Sequence, residues 1–292
     1  MPCGQAETNI LSIQSWVAYG HVGNAAAMFP LQRLGAEVWA IHTVQFSNHL
    51  GYGDFTGQVF GADAVRALVD GVAARGALAR CQGVLSGYMG EAAVGEAILE
   101  AVRRTRAANP AALYCCDPVI GDAGAVYVRD GIPALIRDHA LPLADVATPN
   151  RFELEYLTGI ECDTHEATRR AVAALQTLMR PDGLRAVLLT SLETAETPNG
   201  SLDLIAAEGG AMHRLRTPKL VFQPNGAGDA IAALFLFHRL ASGSARTALE
   251  RAGSSIHGLL ARTLAAGSRE LLLVQAQDEF VAPGHVFAAE AC

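Results

Sequence analysis

The chain has 292 residues, of which 51% are hydrophobic and 17% are charged, a composition typical of a globular protein with a large buried core. The formal net charge of −7 and the isoelectric point near 5.7 argue against a basic surface that binds nucleic acid.

The sequence predicts a single cytoplasmic domain over residues 1–292 with no membrane segment. No Lys or Arg precedes Arg33, whereas secretory and mitochondrial leaders contain basic residues. The longest uninterrupted apolar run, 230–237, is too short to cross a bilayer. No two of the six cysteines have C-x-x-C spacing, which argues against a zinc or redox site.

Short β-type runs alternate with helical patterns along the chain. Strands are predicted at 10–15, 37–45, 83–88, 112–119, 145–150, 185–191, 203–207, 211–217 and 270–274. Helices are predicted at 23–35, 63–74, 91–107, 151–159 and 164–179, and in two further stretches that end near 241 and 265. Asn24 is expected to cap the first helix, Gly159 to end the fourth, and Gly209 and Gly210 to turn a hairpin. This alternation predicts an α/β fold, a three-layer α-β-α sandwich around a mainly parallel sheet.

Polar residues stand at the ends of many predicted strands. Because ligands of such folds bind beyond the carboxyl ends of the strands, these residues are candidates for a functional site. They are Ser15, Gln45, Tyr88, Asp117, Asn150, Thr190 and Ser191.

The stretch "NGAGDAIAALF" (225–235) places a small-residue loop before an apolar helix. The amides of Gly226, Ala227 and Gly228 can converge without steric interference, and the helix start adds partial positive charge, so the loop suits a phosphoryl group. The following Asp229 fits two hypotheses. It either caps the helix or takes a proton from an alcohol that attacks phosphorus.

Further acidic and amide groups near the predicted strand ends favour the second hypothesis. Asp117 and Asp122 occur in "CDPVIGD", and Asn150 and Glu153 occur in "TPNRFE". Phosphoryl transfer depends on positioning and charge neutralisation, usually with Mg²⁺ bridging phosphates, and such groups can organise the metal and its waters.

The chain resembles the pyridoxal kinases, members of the ribokinase-like superfamily, over residues 10–288. The resemblance is carried by stretches that occur in order, among them "LSIQS", "VQFSNH", "VLSGYMG", "CDPVIGD", "TPNRFELEYLTG", "NGAGD" and "VQAQDEF". "SIQS" and "VQFSNH" are specific to pyridoxal kinases, whereas the glycine loop marks only the superfamily.

The resemblance implies ATP-dependent phosphorylation of the 5′-hydroxymethyl group of pyridoxal in vitamin B6 salvage, with pyridoxine and pyridoxamine as further candidate substrates. It implies Mg²⁺, a monovalent cation such as K⁺, and a homodimer. Asp229 would be the general base, and Gly226, Ala227 and Gly228 the anion hole.

The resemblance also assigns the remaining site residues. Substrate-binding residues would be Ser15, His49, Leu50 and Tyr88. The ATP-binding residues would be Asp117, Asp122, Tyr127, Asn150, Glu153, Thr190 and Ser191, with Tyr127 in a flap at 121–130. Mg²⁺ would be arranged by Asp117, Asp122 and Glu153, directly or through water, and K⁺ would meet Thr148 with Asp117.

Several residues depart from the family pattern. Leu50 stands where many relatives have Thr, Trp16 where many have His, and Asn225 where an apolar residue is usual. Leu50 and Trp16 leave open a kinase for another hydroxymethyl heterocycle, such as a hydroxymethylpyrimidine. A further alternative is a pyridoxal phosphate-binding protein with little turnover, although an intact base and metal-arranging set argue against it.

Overall fold

The computed structural model describes residues 8–222 and 224–292. Cys3 therefore lies outside the described residues. The five described cysteines are free, and four of them are buried. Within the described part of the chain, no helix is both long and apolar enough to span a membrane.

Strands and helices alternate through most of the chain. The strands are β1 (Asn9–Val17), β2 (Glu37–Phe46), β3 (Gly57–Val59), β4 (Gly83–Ser86), β5 (Leu113–Cys116), β6 (Gly121–Asp122), β7 (Ala125–Val126), β8 (Val146–Ala147), β9 (Ala186–Leu192), β10 (Ser201–Glu208), β11 (Ala211–Pro218) and β12 (Glu290–Ala291). The helices are α1 (Asn24–Arg33), α2 (Ala62–Ala73), α3 (Ala92–Ala108), α4 (Ile132–Leu135), α5 (Arg151–Thr158), α6 (His165–Leu178), α7 (Ala227–Ser242), α8 (Ala245–Ala265) and α9 (Asp278–Val281).

Ten of these strands form one sheet in the order β12-β11-β10-β9-β8-β5-β4-β1-β2-β3. The six central strands, in the order β9-β8-β5-β4-β1-β2, are parallel to one another. The pairings of the outer strands at both edges are antiparallel. The predicted mainly parallel sheet is confirmed. The β10–β11 hairpin turns at Gly209 and Gly210, both of which have positive φ, as the sequence predicted.

Two apolar clusters cover the two faces of the sheet. Leu11 and Ile13 of β1 pack with α2, α3, α5 and α6, whereas Ile10 packs with α1, α7 and α8 on the other face. Successive strand residues point to opposite faces, so this alternation produces the three layers that the sequence predicted.

Two local predictions are wrong. Residues 270–274 form no strand, because Leu271 and Leu273 are core residues of a loop packed against the α7–α8 side. Asn24 does not cap α1, since its buried side chain turns towards the sheet. Its Nδ2 donates to the carbonyl of Ile41 at 3.0 Å, and its Oδ1 accepts from the hydroxyl of Ser12 at 2.7 Å.

Candidate active site

A cavity of about 660 Å³ lies beyond the carboxyl ends of the parallel strands. Every residue that the resemblance assigned to the site lines it. Of the strand-end candidates only Gln45 does not. Its neighbours Val44 and Phe46 face the cavity, so the alternation of β2 turns Gln45 to the other side. Trp16 is likewise absent from the wall and contacts His42, with ring centroids 4.8 Å apart.

The start of α7 is open to the cavity. Gly226 precedes the helix with φ of +89°, and a Cβ there would lie 1.8 Å from the carbonyl oxygen of His21, so only glycine fits. Gly226 has no side chain with which to cap the helix. The first-turn amides and the helix dipole can therefore act on an anion.

Asp229 is the third residue of α7 and lines the same cavity. Burial raises the pKa of its carboxyl to about 6, an effect that the backbone amides of Gly23 and Asp229 itself partly offset. A carboxylate with this pKa is mostly ionised at neutral pH, yet it binds a proton more readily than an exposed aspartate. These properties suit a general base.

The start of α5 borders the cavity as well, but it is capped by its own side chains. Asn150 accepts from the amide of Glu153 at 2.8 Å, while Glu153 accepts from the amides of Asn150 at 2.9 Å and Ile120 at 3.0 Å. Asn150 also donates to the carbonyl of Gly121 at 2.9 Å. Burial raises the pKa of Glu153 to about 8, although these amides oppose the shift. The pair fixes the base of the 121–126 hairpin.

Asp117 completes a group of acids at this edge of the sheet. Its Oδ1 accepts from the hydroxyl of Thr148 at 2.7 Å. Burial raises its pKa well above the ordinary value, and the negative charges of Glu153 and Asp229 raise it further. A bound cation stabilises the ionised forms of acids that repel one another in this way.

The donor set fits Mg²⁺ only in part. Within residues 8–222 and 224–292 no group of three His, Cys, Asp or Glu side chains could hold a metal by itself. Mg²⁺ retains several waters and is usually bound by one or two carboxylates together with phosphates. Asp117 and Glu153 could supply this number of carboxylates, and Asp122 lies on the cavity wall beside them.

Two residues of the segment predicted as a flap and two at the end of β9 also line the cavity. Asp122 of β6 and the half-exposed Tyr127 after β7 are on one side. On the other side, Thr190 bridges to Asn150, and Ser191 has a φ of +54°. The predicted flap is therefore a short hairpin next to the acids.

Sequence reasoning missed the largely apolar wall beyond β9. It includes Leu202, Leu204, Lys219, Phe222, Ile256, His257 and Leu260. These positions follow no motif, and their apolar character indicates only burial. Lys219, the single lysine of the chain, lines this wall and pairs with Glu193 at 2.8 Å.

The opposite end of the cavity carries the residues assigned to the substrate. Ser15 and His49 are buried, Tyr88 is half-buried, and Leu50 is 44% exposed. A Cβ on Gly23 would lie 2.3 Å from Ser15, so this glycine allows the loop before α1 to pack against the serine. This end thus offers an aromatic ring and a few polar atoms, the features that bind a small planar heterocycle.

The parallel sheet, the open helix start and the neighbouring carboxylate of Asp229 are the features expected of a kinase with the ribokinase-like fold. The family described as phosphomethylpyrimidine kinase matches residues 59–273. The chain is 62% identical to pyridoxal kinase PdxY of Granulibacter bethesdensis over 285 residues, which cover 97% of this chain and 100% of that protein. It is 54% identical to pyridoxal kinase PdxY of Deinococcus radiodurans, with coverage of 97% and 96%.

Solved structures agree with these relatives. The pyridoxal kinase from Leishmania donovani in complex with ADP and ginkgotoxin superimposes with a TM-score of 0.89 at 30% identity, covering 98% of this chain and 100% of that one. Its complex with ADP and pyridoxamine gives the same TM-score at 29% identity and the same coverage. The chain belongs to the pyridoxal kinase family.

Proposed function

We propose that the protein transfers the γ-phosphoryl group of MgATP to the 5′-hydroxymethyl group of pyridoxal, giving pyridoxal 5′-phosphate, and that it also accepts pyridoxine and pyridoxamine. The observation that carries this proposal is the start of α7. An uncapped set of amides and a carboxylate with a raised pKa lie beside a cavity whose far end suits a heterocycle.

Asp229 takes the proton of the substrate hydroxyl as the hydroxyl oxygen attacks the γ-phosphorus of ATP. The bond from the γ-phosphorus to the bridging oxygen breaks, and ADP leaves. The amides of Gly226, Ala227 and Gly228 bind the negative charge on the transferred group. These donors are fixed before the substrate arrives, because Gly226 packs against the backbone of His21. The chain thereby supplies a base and an anion site within one helical turn.

Mg²⁺ would be held by Asp117, Asp122 and Glu153, directly or through water, and would neutralise charge on the phosphates of ATP. Thr148 and Asp117 would meet a monovalent cation such as K⁺. Thr190 and Ser191 would line the phosphates, and the apolar wall at Leu202 and Ile256 would accept the base of the nucleotide. The flap with Tyr127 would close over ATP and exclude water.

At the other end of the cavity, Ser15 would bind the polar edge of the pyridine ring, and Tyr88 would pack on its face. His49 and Leu50 would border the ring substituents. The relatives with bound ADP, pyridoxamine and ginkgotoxin support both halves of this assignment. We further propose that the protein acts in the cytoplasm as a homodimer, as its resemblance to the family implies.

An assay of ADP release tests the function. The protein is incubated with MgATP and, separately, with pyridoxal, pyridoxine, pyridoxamine or hydroxymethylpyrimidine. We expect turnover with pyridoxal. The absence of turnover with all three B6 vitamers would overturn the proposal and would favour a binding protein if pyridoxal phosphate still bound tightly.

Hydroxymethylpyrimidine is the second candidate substrate, because the matching family is described as phosphomethylpyrimidine kinase. The ratio of kcat/KM values for pyridoxal and hydroxymethylpyrimidine decides between the two. A ratio below one would assign the pyrimidine as the substrate.

A further inference from the structure

Glu270 does not line the cavity, yet its carboxylate holds groups that do. Its Oε1 accepts hydrogen bonds from Nε2 of His49 at 2.9 Å and from the hydroxyl of Tyr52 at 2.6 Å. Its Oε2 accepts one from the backbone amide of His21 at 3.2 Å. One carboxylate therefore joins three segments that are far apart in the sequence, and two of them border the proposed substrate and phosphoryl sites.

The surroundings of Glu270 fix this carboxylate in place. The hydroxyl of Ser268 donates to the carbonyl of Glu270 at 2.7 Å and accepts from its amide at 3.2 Å. The next residue, Leu271, is a core residue. A Cβ on Gly20 would lie 2.4 Å from Oε2, and Gly20 has a φ of +88°, so a glycine is needed to make room.

The hydrogen bonds of Glu270 determine which nitrogen of His49 carries a hydrogen. Burial tends to raise the pKa of Glu270, but the hydrogen bonds from Tyr52 and His49 more than offset this and hold it below the ordinary value. An ionised carboxylate only accepts, so Nε2 of His49 must donate. In the neutral ring Nδ1 then keeps its lone pair and can only accept.

Nδ1 is the atom of His49 that remains available. It is buried and has no hydrogen-bond partner within the described residues 8–222 and 224–292. It lies on the side of Gly51, where a Cβ would approach it to 3.0 Å and the side-chain amide of Asn225 to 2.6 Å. His49, Gly51 and Asn225 all line the cavity, so this unused acceptor lies within the wall of the cavity.

Glu270 holds the Nε2 edge of the His49 ring, and a second contact holds the face of the ring. The ring of Tyr52 lies 4.7 Å from that of His49, and the guanidinium of Arg269 lies 3.9 Å from the centre of the Tyr52 ring. Arg269 also donates to the carbonyl of Gly51. The residue pair 269–270 thus holds the 49–52 loop from two directions.

Resting on the kinase function proposed above, we propose that Glu270 is a positioning residue for the vitamer. It orients His49 so that Nδ1 accepts a hydrogen bond from a donor group on the substrate ring. Glu270 itself touches neither substrate and acts only through His49.

The Glu270→Gln variant removes the charge and keeps the shape. We expect KM for pyridoxal to rise about tenfold, as for loss of a hydrogen bond to a charged group, with KM for ATP changed less than about twofold. Equilibrium binding of pyridoxal without ATP should weaken by a similar factor. Equal rises in both KM values, or a lower Tm with unchanged KM values, would assign Glu270 a purely structural role.

Glu208→Gln is the matched control. Like Glu270, Glu208 accepts from a backbone amide, that of Ala245, at 3.2 Å, and does not line the cavity. Its other donor is an arginine, Arg239, at 3.1 Å. Its replacement should lower Tm without changing KM for pyridoxal. An effect on pyridoxal KM as large as that of Glu270→Gln would overturn the proposal.

A double-mutant cycle with His49→Ala tests whether Glu270 acts through the histidine. The double variant should bind pyridoxal no more weakly than His49→Ala alone, because coupled residues are not additive. Additive losses would overturn the positioning role. If no vitamer is phosphorylated but Glu270→Gln still weakens pyridoxal binding, the kinase proposal fails and the positioning proposal stands.

Discussion

The helices α5 and α7 both begin at the cavity and both carry an acid in the first turn, yet their starts are built differently. At α5, Asn150 and Glu153 satisfy each other's backbone amides. At α7, the residue before the helix is Gly226, which has no side chain to cap it. A helix start closed by its own side chains serves as a support, whereas one left open can bind an anion.

Burial raises the pKa of both acids, but to different values. Glu153 has a pKa of about 8 and is mostly protonated at neutral pH in the metal-free protein, whereas Asp229 has a pKa of about 6 and is mostly ionised. Only Asp229 is therefore ready to accept a proton from an alcohol. Glu153 becomes fully charged only when a cation offsets the cost, which agrees with its proposed role near Mg²⁺.

The largest expected effect comes from replacing the acid at the start of α7. Asp229→Asn should lower kcat for pyridoxal by about 10²–10⁴-fold, the usual contribution of a general base, and should leave KM for ATP nearly unchanged. Steady-state kinetics with both substrates measure this. Glu153→Gln is the comparison variant and should lose less in kcat. A near-normal kcat in Asp229→Asn would show that the carboxylate only stabilises the helix.

In the metal-free protein, each of the two acids should make the free energy of unfolding depend on pH over a different range. Both bind their proton more tightly when folded, so each favours folding fully below its ordinary pKa, and this contribution is lost as pH rises through the folded value. The pH window over which this contribution is lost is about pH 4–6 for Asp229 and about pH 4.5–8 for Glu153. Above its window, Asp229→Asn should exceed the wild type in free energy of unfolding by up to about 3 kcal/mol.

Urea unfolding at several pH values with a chelator present measures these differences. The gain of Asp229→Asn should vanish near pH 4, and that of Glu153→Gln should continue to grow up to about pH 8. Identical windows for the two variants would contradict the different pKa values. A loss of stability in Asp229→Asn at every pH would mean that the carboxylate supports the fold.

The two helix starts also show which features of the site could be predicted from the sequence. Asn150, Glu153 and the Gly226–Asp229 loop follow local patterns, so both helix starts could be predicted from their own residues. Residues 270–274 could not, because Leu271 and Leu273 have the composition of a strand while packing as core residues of a loop. Glu270 has no local signal, since its partner His49 is 221 positions away.

The smallest expected effect concerns the substrate end of the cavity. Leu50 lines the wall in a short turn before Tyr52 and is 44% exposed, so a different side chain there should not disturb the core. Leu50→Thr introduces a hydroxyl at this position. A new hydrogen bond to pyridoxal is worth about 0.5–1.5 kcal/mol and should lower KM by about 2–10-fold.

Leu50→Val is the control for this variant, because valine has the shape of threonine without the hydroxyl. The two variants should differ in KM for pyridoxal and agree in KM for ATP, since Leu50 adjoins His49 and is not part of the apolar wall beyond β9. An equal KM in both variants would mean that shape alone matters at this position. Recognition of the ring would then depend on Ser15, Tyr88 and the imidazole that Glu270 holds.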